Sequence, residues 1–216
     1  MAVPSTIEAV VFDYGGVFTP SPFVAAHTYA TAQGFEPDRL IEIVFGAYHT
    51  DSDHPWHRLE RGELAFADAL AAIRRDADEQ GVDFDAGEMF RGMLDDGIDR
   101  SVVTDTVRSL RERGIRTAIL TNNIREYGDH WRERLGADEL FDLVVDSCHE
   151  GLRKPDAAIY EVVLERLAVR EPTQAVFLDD FEANVDAARA VGMHGIVVGI
   201  DPRDALRQLE AIVSAS

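Results

Sequence analysis

The chain of 216 residues carries 40 acidic and 21 basic side chains, for a formal net charge of −19, and 46% of its residues are hydrophobic. That composition fits one domain, or a medium core with a small inserted module, and excludes long disorder as the main state. The acidic balance disfavours nucleic acid and anionic membrane surfaces, since such partners need basic stripes, and the single cysteine, Cys148, excludes an internal disulfide or a cysteine zinc site.

In chain order, Ile7 to Phe12 reads as a short buried strand running into a turn at Asp13, Gly15 and Gly16. Ser21 to Gln33 is helical in pattern and stops at Gly34, and Pro37 opens another helix from its first position. Gly62 to Gln80 predicts one long helix with Ala and Leu on a buried face, followed by a weaker helix from about Asp85 to Asp95. Beyond Asp99 the units alternate: helix Ser101 to Arg113, strand Ile115 to Thr121, helix Glu126 to Leu135 and strand Leu143 to Val145. Helix Ala157 to Ala168, strand Ala175 to Leu178, helix Glu182 to Val191, strand Ile196 to Val198 and a last helix from Pro202 complete the chain.

This alternation predicts an α/β fold, a doubly wound parallel sheet with helices on both faces. Roughly eighty residues of helix separate the first strand from the next, more than a simple crossover needs. A helical insertion is therefore expected over residues 19–97, with the sheet-bearing core assembled from residues 1–18 and 98–216. No apolar stretch reaches the ~20 residues of a membrane span, and residues 1–11 lack the basic start and apolar run of a signal peptide. The expectation is a soluble, cytoplasmic protein.

Ligands of such sheets bind beyond the carboxyl ends of the strands. Those ends carry Asp13, then Thr121, Asn122 and Asn123, then Lys154 and Pro155, then Asp179 and Asp180. A carboxylate nucleophile, a hydroxyl beside backbone amides, an ammonium and a second carboxylate pair suit phosphoryl transfer through an aspartyl intermediate. Lys154 is the only lysine among the basic residues, and Asn122, Asn123 and Asn184 are the only asparagines. The plainer reading of Asp179 and Asp180 is a carboxylate pair favoured by a helix N-terminus.

The strand ending Asp13-Tyr14-Gly15-Gly16, the run Leu120-Thr121-Asn122-Asn123, the turn Arg153-Lys154-Pro155-Asp156 and the block Phe177-Leu178-Asp179-Asp180 through Asn184 occur in this order. Together they resemble the four motifs of the haloacid dehalogenase-like hydrolase superfamily. The similarity is greatest to its branch with a helical cap after the first motif, such as the N-terminal phosphatase domain of soluble epoxide hydrolases and the related domain of large acyl-CoA dehydrogenases. The resemblance implies a Rossmann-like core and a phosphatase acting on a small phosphorylated substrate. It further implies that Asp13 attacks phosphorus and that Mg²⁺ is held by Asp13, the Gly15 carbonyl and Asp180. Thr121, Asn122 and Lys154 would then hold the phosphate, supported by Asp179 and Asn123.

One position departs from that pattern. Most phosphatases of the superfamily carry a second Asp two residues after the nucleophile as general acid and base, where this chain has Gly15. That departure raises the alternative of a non-catalytic domain that binds a phosphorylated ligand or a partner. A haloacid dehalogenase is a further alternative, disfavoured by Gly15, where such enzymes usually carry Tyr, and by the Asp179-Asp180 pair. Phosphonate cleavage through a cap lysine is disfavoured because Lys154 falls in the core. Of the seven histidines, His27, His49, His54 and His57 fall in the insertion, where substrate choice is expected, and His54-Pro55-Trp56-His57 reads as an exposed helix-start loop with Trp56 tucked inward.

Overall fold

Every residue of Ala9–Phe12 (β1) is apolar and buried, the pattern of a parallel strand covered on both faces. The computed structural model describes residues 6–91 and 96–215. After β1 come the helices α1 (Pro22–Gln33), α2 (Pro37–Phe45), α3 (Pro55–Glu60), α4 (Phe66–Glu79) and α5 (Ala86–Arg91). The chain then alternates through α6 (Ser101–Glu112), β2 (Arg116–Thr121), α7 (His130–Leu135), α8 (Ala137–Leu140), β3 (Leu143–Asp146) and α9 (Ser147–Glu150). It ends with α10 (Ala157–Arg166), β4 (Ala175–Asp179), α11 (Glu182–Ala190), β5 (His194–Val197) and α12 (Arg203–Ser214).

The five strands form one parallel sheet in the order β3-β2-β1-β4-β5. The chain adds β2 and β3 on one side of β1 and β4 and β5 on the other, so the strand order reverses at β1 and the crevice of a doubly wound sheet opens beside it. Alternating side chains of each strand serve opposite faces. Val10 and Phe12 of β1 join Val107 and Leu110 of α6 and Leu209 and Val213 of α12 in one core layer. Ala9 and Val11 join Ile159 and Val163 of α10 and Ala188 of α11 in the other.

Helices α1 to α5 bury a separate apolar cluster around Leu40, Phe45, Leu59, Ile73 and Met89, to which the core contributes Ile124 and, at its margin, Phe181. Polar contacts tie this segment to the core, among them the Phe66 N–H, which donates to Glu126 Oε1 at 2.6 Å, and Ser147 Oγ, which donates to the Glu60 carbonyl at 2.7 Å. No helix among the described residues is long and apolar enough to cross a membrane.

The predicted helix over Gly62 to Gln80 begins late, at Phe66. Gly62 has φ +69°, and a Cβ there would lie 2.3 Å from the Cys148 carbonyl oxygen. The chain turns where it touches the core, and only glycine fits that turn. Likewise Glu126 to Leu135 is not one helix: a short 3₁₀ turn, Arg125–Tyr127, and Gly128 at φ +52° precede α7. The weak helix expected to Asp95 is seen as Ala86–Arg91, and residues 92–95 lie outside the described ones.

Candidate active site

Asp13 follows β1 directly, and its backbone N–H donates to the Leu178 carbonyl of β4 at 2.8 Å. Its Oδ1 accepts from the Tyr14 N–H at 2.7 Å and pairs with Lys154 Nζ at 2.8 Å. The same ammonium donates to Asp179 Oδ2 at 2.6 Å. Asp179 is fully engaged, because Asn184 Nδ2 donates to that oxygen at 3.1 Å and the Phe181 N–H donates to Oδ1 at 2.8 Å. Asp180 is left as the carboxylate of the pair that lines the pocket, together with Asp13, Gly15, Thr121 and Asn122.

Lys154 is held at both ends. Its ammonium sits between two carboxylates, and its backbone is clasped by the Asn122 side chain, whose Oδ1 accepts from the Lys154 N–H at 2.8 Å while Nδ2 donates to the Lys154 carbonyl at 3.0 Å. The Asn122 side-chain amide is thus committed to the neighbouring loop and to Tyr48 Oη, to which Nδ2 also donates at 3.1 Å. Asn123 supports from behind: its N–H donates to Ser147 Oγ at 2.9 Å, its Oδ1 accepts from the Ile124 N–H at 2.8 Å, and its Nδ2 donates to Asp146 at 3.2 Å. Thr121 ends β2, the strand next to the central β1, and is 3% exposed.

The charges do not balance. Burial pushes the Asp13 carboxyl well above the ordinary carboxylate range, and Asp179 and Asp180 add to the rise while Lys154 opposes it. Asp180 is raised to about 7, first by burial and then by Asp179. Burial disfavours the Lys154 charge, but Asp13 and Asp179 outweigh it and hold the ammonium above its usual value. Carboxylate oxygens of Asp13, Asp179 and Asp180 all lie within 4.8 Å of one another. Asn184 Oδ1 is buried beside them without a hydrogen-bond partner among the described residues. An all-oxygen donor set, surplus negative charge and an unsatisfied acceptor able to take a metal-bound water fit a hard divalent cation.

Opposite this floor, the helical segment supplies Phe23, Phe45, Tyr48, Trp56 and Glu60, which close a pocket of about 110 Å³. Glu60 is 3% exposed and anchors a polar knot: Oε1 accepts from Tyr48 Oη at 2.7 Å and Trp56 Nε1 at 2.8 Å, and Oε2 accepts from Arg153 Nε at 2.8 Å. Arg153 is fully buried and lies 4.5 Å from the Tyr48 ring centroid. Tyr48, Glu60 and Arg153 were not separable from ordinary surface residues by pattern. The available signals were the i, i+4 spacing of Trp56 and Glu60 and the place of Arg153 beside the sole lysine. The stretch His54 to His57 does start a helix, α3, with Trp56 buried, but it is not exposed: His57 is fully buried.

A family model for haloacid dehalogenase-like hydrolases matches residues 7–192. The chain belongs to this family. It is 32% identical over 209 residues to acyl-CoA dehydrogenase family member 10 of Mus musculus, covering 95% of this chain and 19% of that protein. It is 28% identical to bifunctional epoxide hydrolase 2 of the same organism, covering 95% of this chain and 39% of the relative. The chain thus spans well under half the length of either. Sesquiterpene phosphatase astK of Aspergillus oryzae matches along most of its length, at 28% identity over 89% of this chain and 90% of that one. Among solved structures, a family enzyme of Bacteroides thetaiotaomicron in complex with magnesium and inorganic phosphate superposes with a TM-score of 0.59 at 19% identity, covering 90% of this chain and 95% of that chain.

Proposed function

We propose that this hydrolase is a Mg²⁺-dependent phosphatase that cleaves small phosphate monoesters through an aspartyl-phosphate on Asp13, with residues 19–97 acting as a cap over the site. The observation that carries the reading is the Asp13–Lys154–Asp179 arrangement at the floor of a pocket that also presents Thr121 and Asp180. The phosphatase relative and the neighbour with magnesium and phosphate support it.

Asp13 Oδ1 is occupied by two donors, so Oδ2 is the oxygen available to form the bond to phosphorus as the ester oxygen leaves. Lys154 offsets the repulsion between that carboxylate and the incoming phosphoryl oxygens, and Asp179 keeps the ammonium pointed at them. The Thr121 hydroxyl and the Asn122 main chain would orient the phosphoryl group. Water then attacks the acyl phosphate, releasing inorganic phosphate and restoring Asp13. Asp13, the Gly15 carbonyl and Asp180 would hold Mg²⁺, which supplies charge neutralisation to the transferring group.

The test is turnover of phenyl phosphate with Mg²⁺. Asp13→Asn should lower kcat by at least about 10³-fold with an unchanged circular dichroism spectrum, because an amide does not attack phosphorus. Wild-type rates in that variant would overturn the nucleophile assignment. An inactive wild type would favour the binding-domain alternative raised by Gly15.

A further inference from the structure

We propose that the alcohol side of this site takes a compact apolar group and rejects sugar and polyol phosphates. The chemistry rests on the phosphatase reading above; the preference rests on the pocket alone.

The pocket has two ends of opposite character. The polar end is the floor of Asp13, Thr121 and Asp180. The other is a joined set of rings: Phe23 stacks on Phe181 with centroids 4.8 Å apart, Tyr48 meets these two at 4.8 and 5.1 Å, and Phe45 lies 5.2 Å from Phe23 and 4.9 Å from Trp56. Ile124 completes the wall.

Beside the rings, the polar groups of Tyr48, Trp56, Glu60 and Asn122 are already engaged. Both oxygens of Glu60 accept from Tyr48, Trp56 and Arg153, and Asn122 Nδ2 is shared between Tyr48 Oη and the Lys154 carbonyl. A sugar hydroxyl entering here would give up water without gaining a partner. An alkyl group gives up nothing and gains the contact of the rings.

Size narrows the choice further. Phe23, stacked on Phe181 and packed against Phe45, bounds the apolar end of the pocket, so a compact alkyl group is held against the rings better than a long one.

The deciding comparison is between two phosphonates that cannot be hydrolysed, 3-methylbutylphosphonate and 3,4-dihydroxybutylphosphonate, titrated calorimetrically into wild-type protein with Mg²⁺. The diol should bind at least about 100-fold more weakly, and kcat/KM for glycerol 3-phosphate should fall below that for 3-methylbutyl phosphate by a similar factor. Phe23→Ala should shift the ratio of kcat/KM for octyl over 3-methylbutyl phosphate upward by about 10-fold. Equal affinities, or a preference for the diol, with phenyl phosphate still turned over would overturn the apolar assignment and leave the phosphatase. Preferential binding of the apolar phosphonate without any turnover would overturn the phosphatase and leave the apolar assignment. Failure of both phosphonates to bind would overturn both.

Discussion

At the scale of single residues, Gly15 and Gly16 have opposite reasons to be glycine. Gly16 has φ +71°, and a Cβ there would stand 2.1 Å from Asp180 Cγ, so any side chain would displace that carboxylate. Gly15 has no such constraint: its added Cβ would meet only Pro22 Cδ, at 3.7 Å. Gly16→Ala should therefore abolish Mg²⁺-dependent turnover, while Gly15→Asp should fold and gain activity selectively. Poor leaving groups need a proton as the bond breaks, so Gly15→Asp should narrow the gap in kcat/KM between aryl and alkyl phosphates by about 10-fold or more. An unchanged gap would mean that protonation does not limit the wild type. His57 supplies a pH prediction. Burial, aided by the nearby Arg153 charge, lowers its pKa to about 3, so the folded protein keeps it neutral. Between pH 6.5 and 3 the unfolded chain takes up a proton that the fold refuses, so this stability is complete above about pH 6.5 and drains as pH falls. His57→Asn, which keeps an acceptor for the Ser52 N–H, should show a flatter decline of the unfolding midpoint from pH 7 to 4 than the wild type.

At the scale of elements, α3 is short, six residues, yet it joins the helical segment to the core through Glu60 and Arg153. With both side chains almost wholly buried, removing one partner strands the other charge. Glu60→Ala should cost about 3–5 kcal/mol, whereas Glu60→Leu with Arg153→Met should regain much of it, because a buried pair owes its cost to desolvation. Urea midpoints of the two variants at constant slope make the measurement. This is also where sequence and structure part company. Strands β1 and β4 were legible because a central parallel strand is a continuous apolar run, β2 through its shorter run Ala118 to Leu120, and Asp13, Thr121 and Asp179 because they break such runs at the edge where ligands bind. Glu60 was not, since a carboxylate on a short helix reads as solvated until its partner, 93 residues away, is placed beside it. The turns at Gly62 and Gly128 were missed for a related reason: helical periodicity continues through both, and only the contact of the helical segment with the core demands a break at Gly62.

Across the whole molecule, the −19 charge surrounds a pocket whose floor has three carboxylates for one ammonium. A dianionic monoester approaches against that field, and salt screens exposed charges beyond about 10 Å at 0.1 M. With Mg²⁺ saturating, kcat/KM for phenyl phosphate should rise roughly two- to five-fold between 0.01 and 0.15 M salt while kcat stays level. A fall with salt would mean that a local positive field dominates capture. The lone lysine carries a further consequence, in the currency of covalent labelling. Lys154 is the only lysine in the chain and its side chain is 1% exposed, clamped between Asp13 and Asp179. An amine-acylating reagent that meets the folded protein finds this ε-amine both protonated and out of reach. The rate at which Lys154 is acylated, read by mass spectrometry on a single peptide, therefore clocks how often the site comes apart.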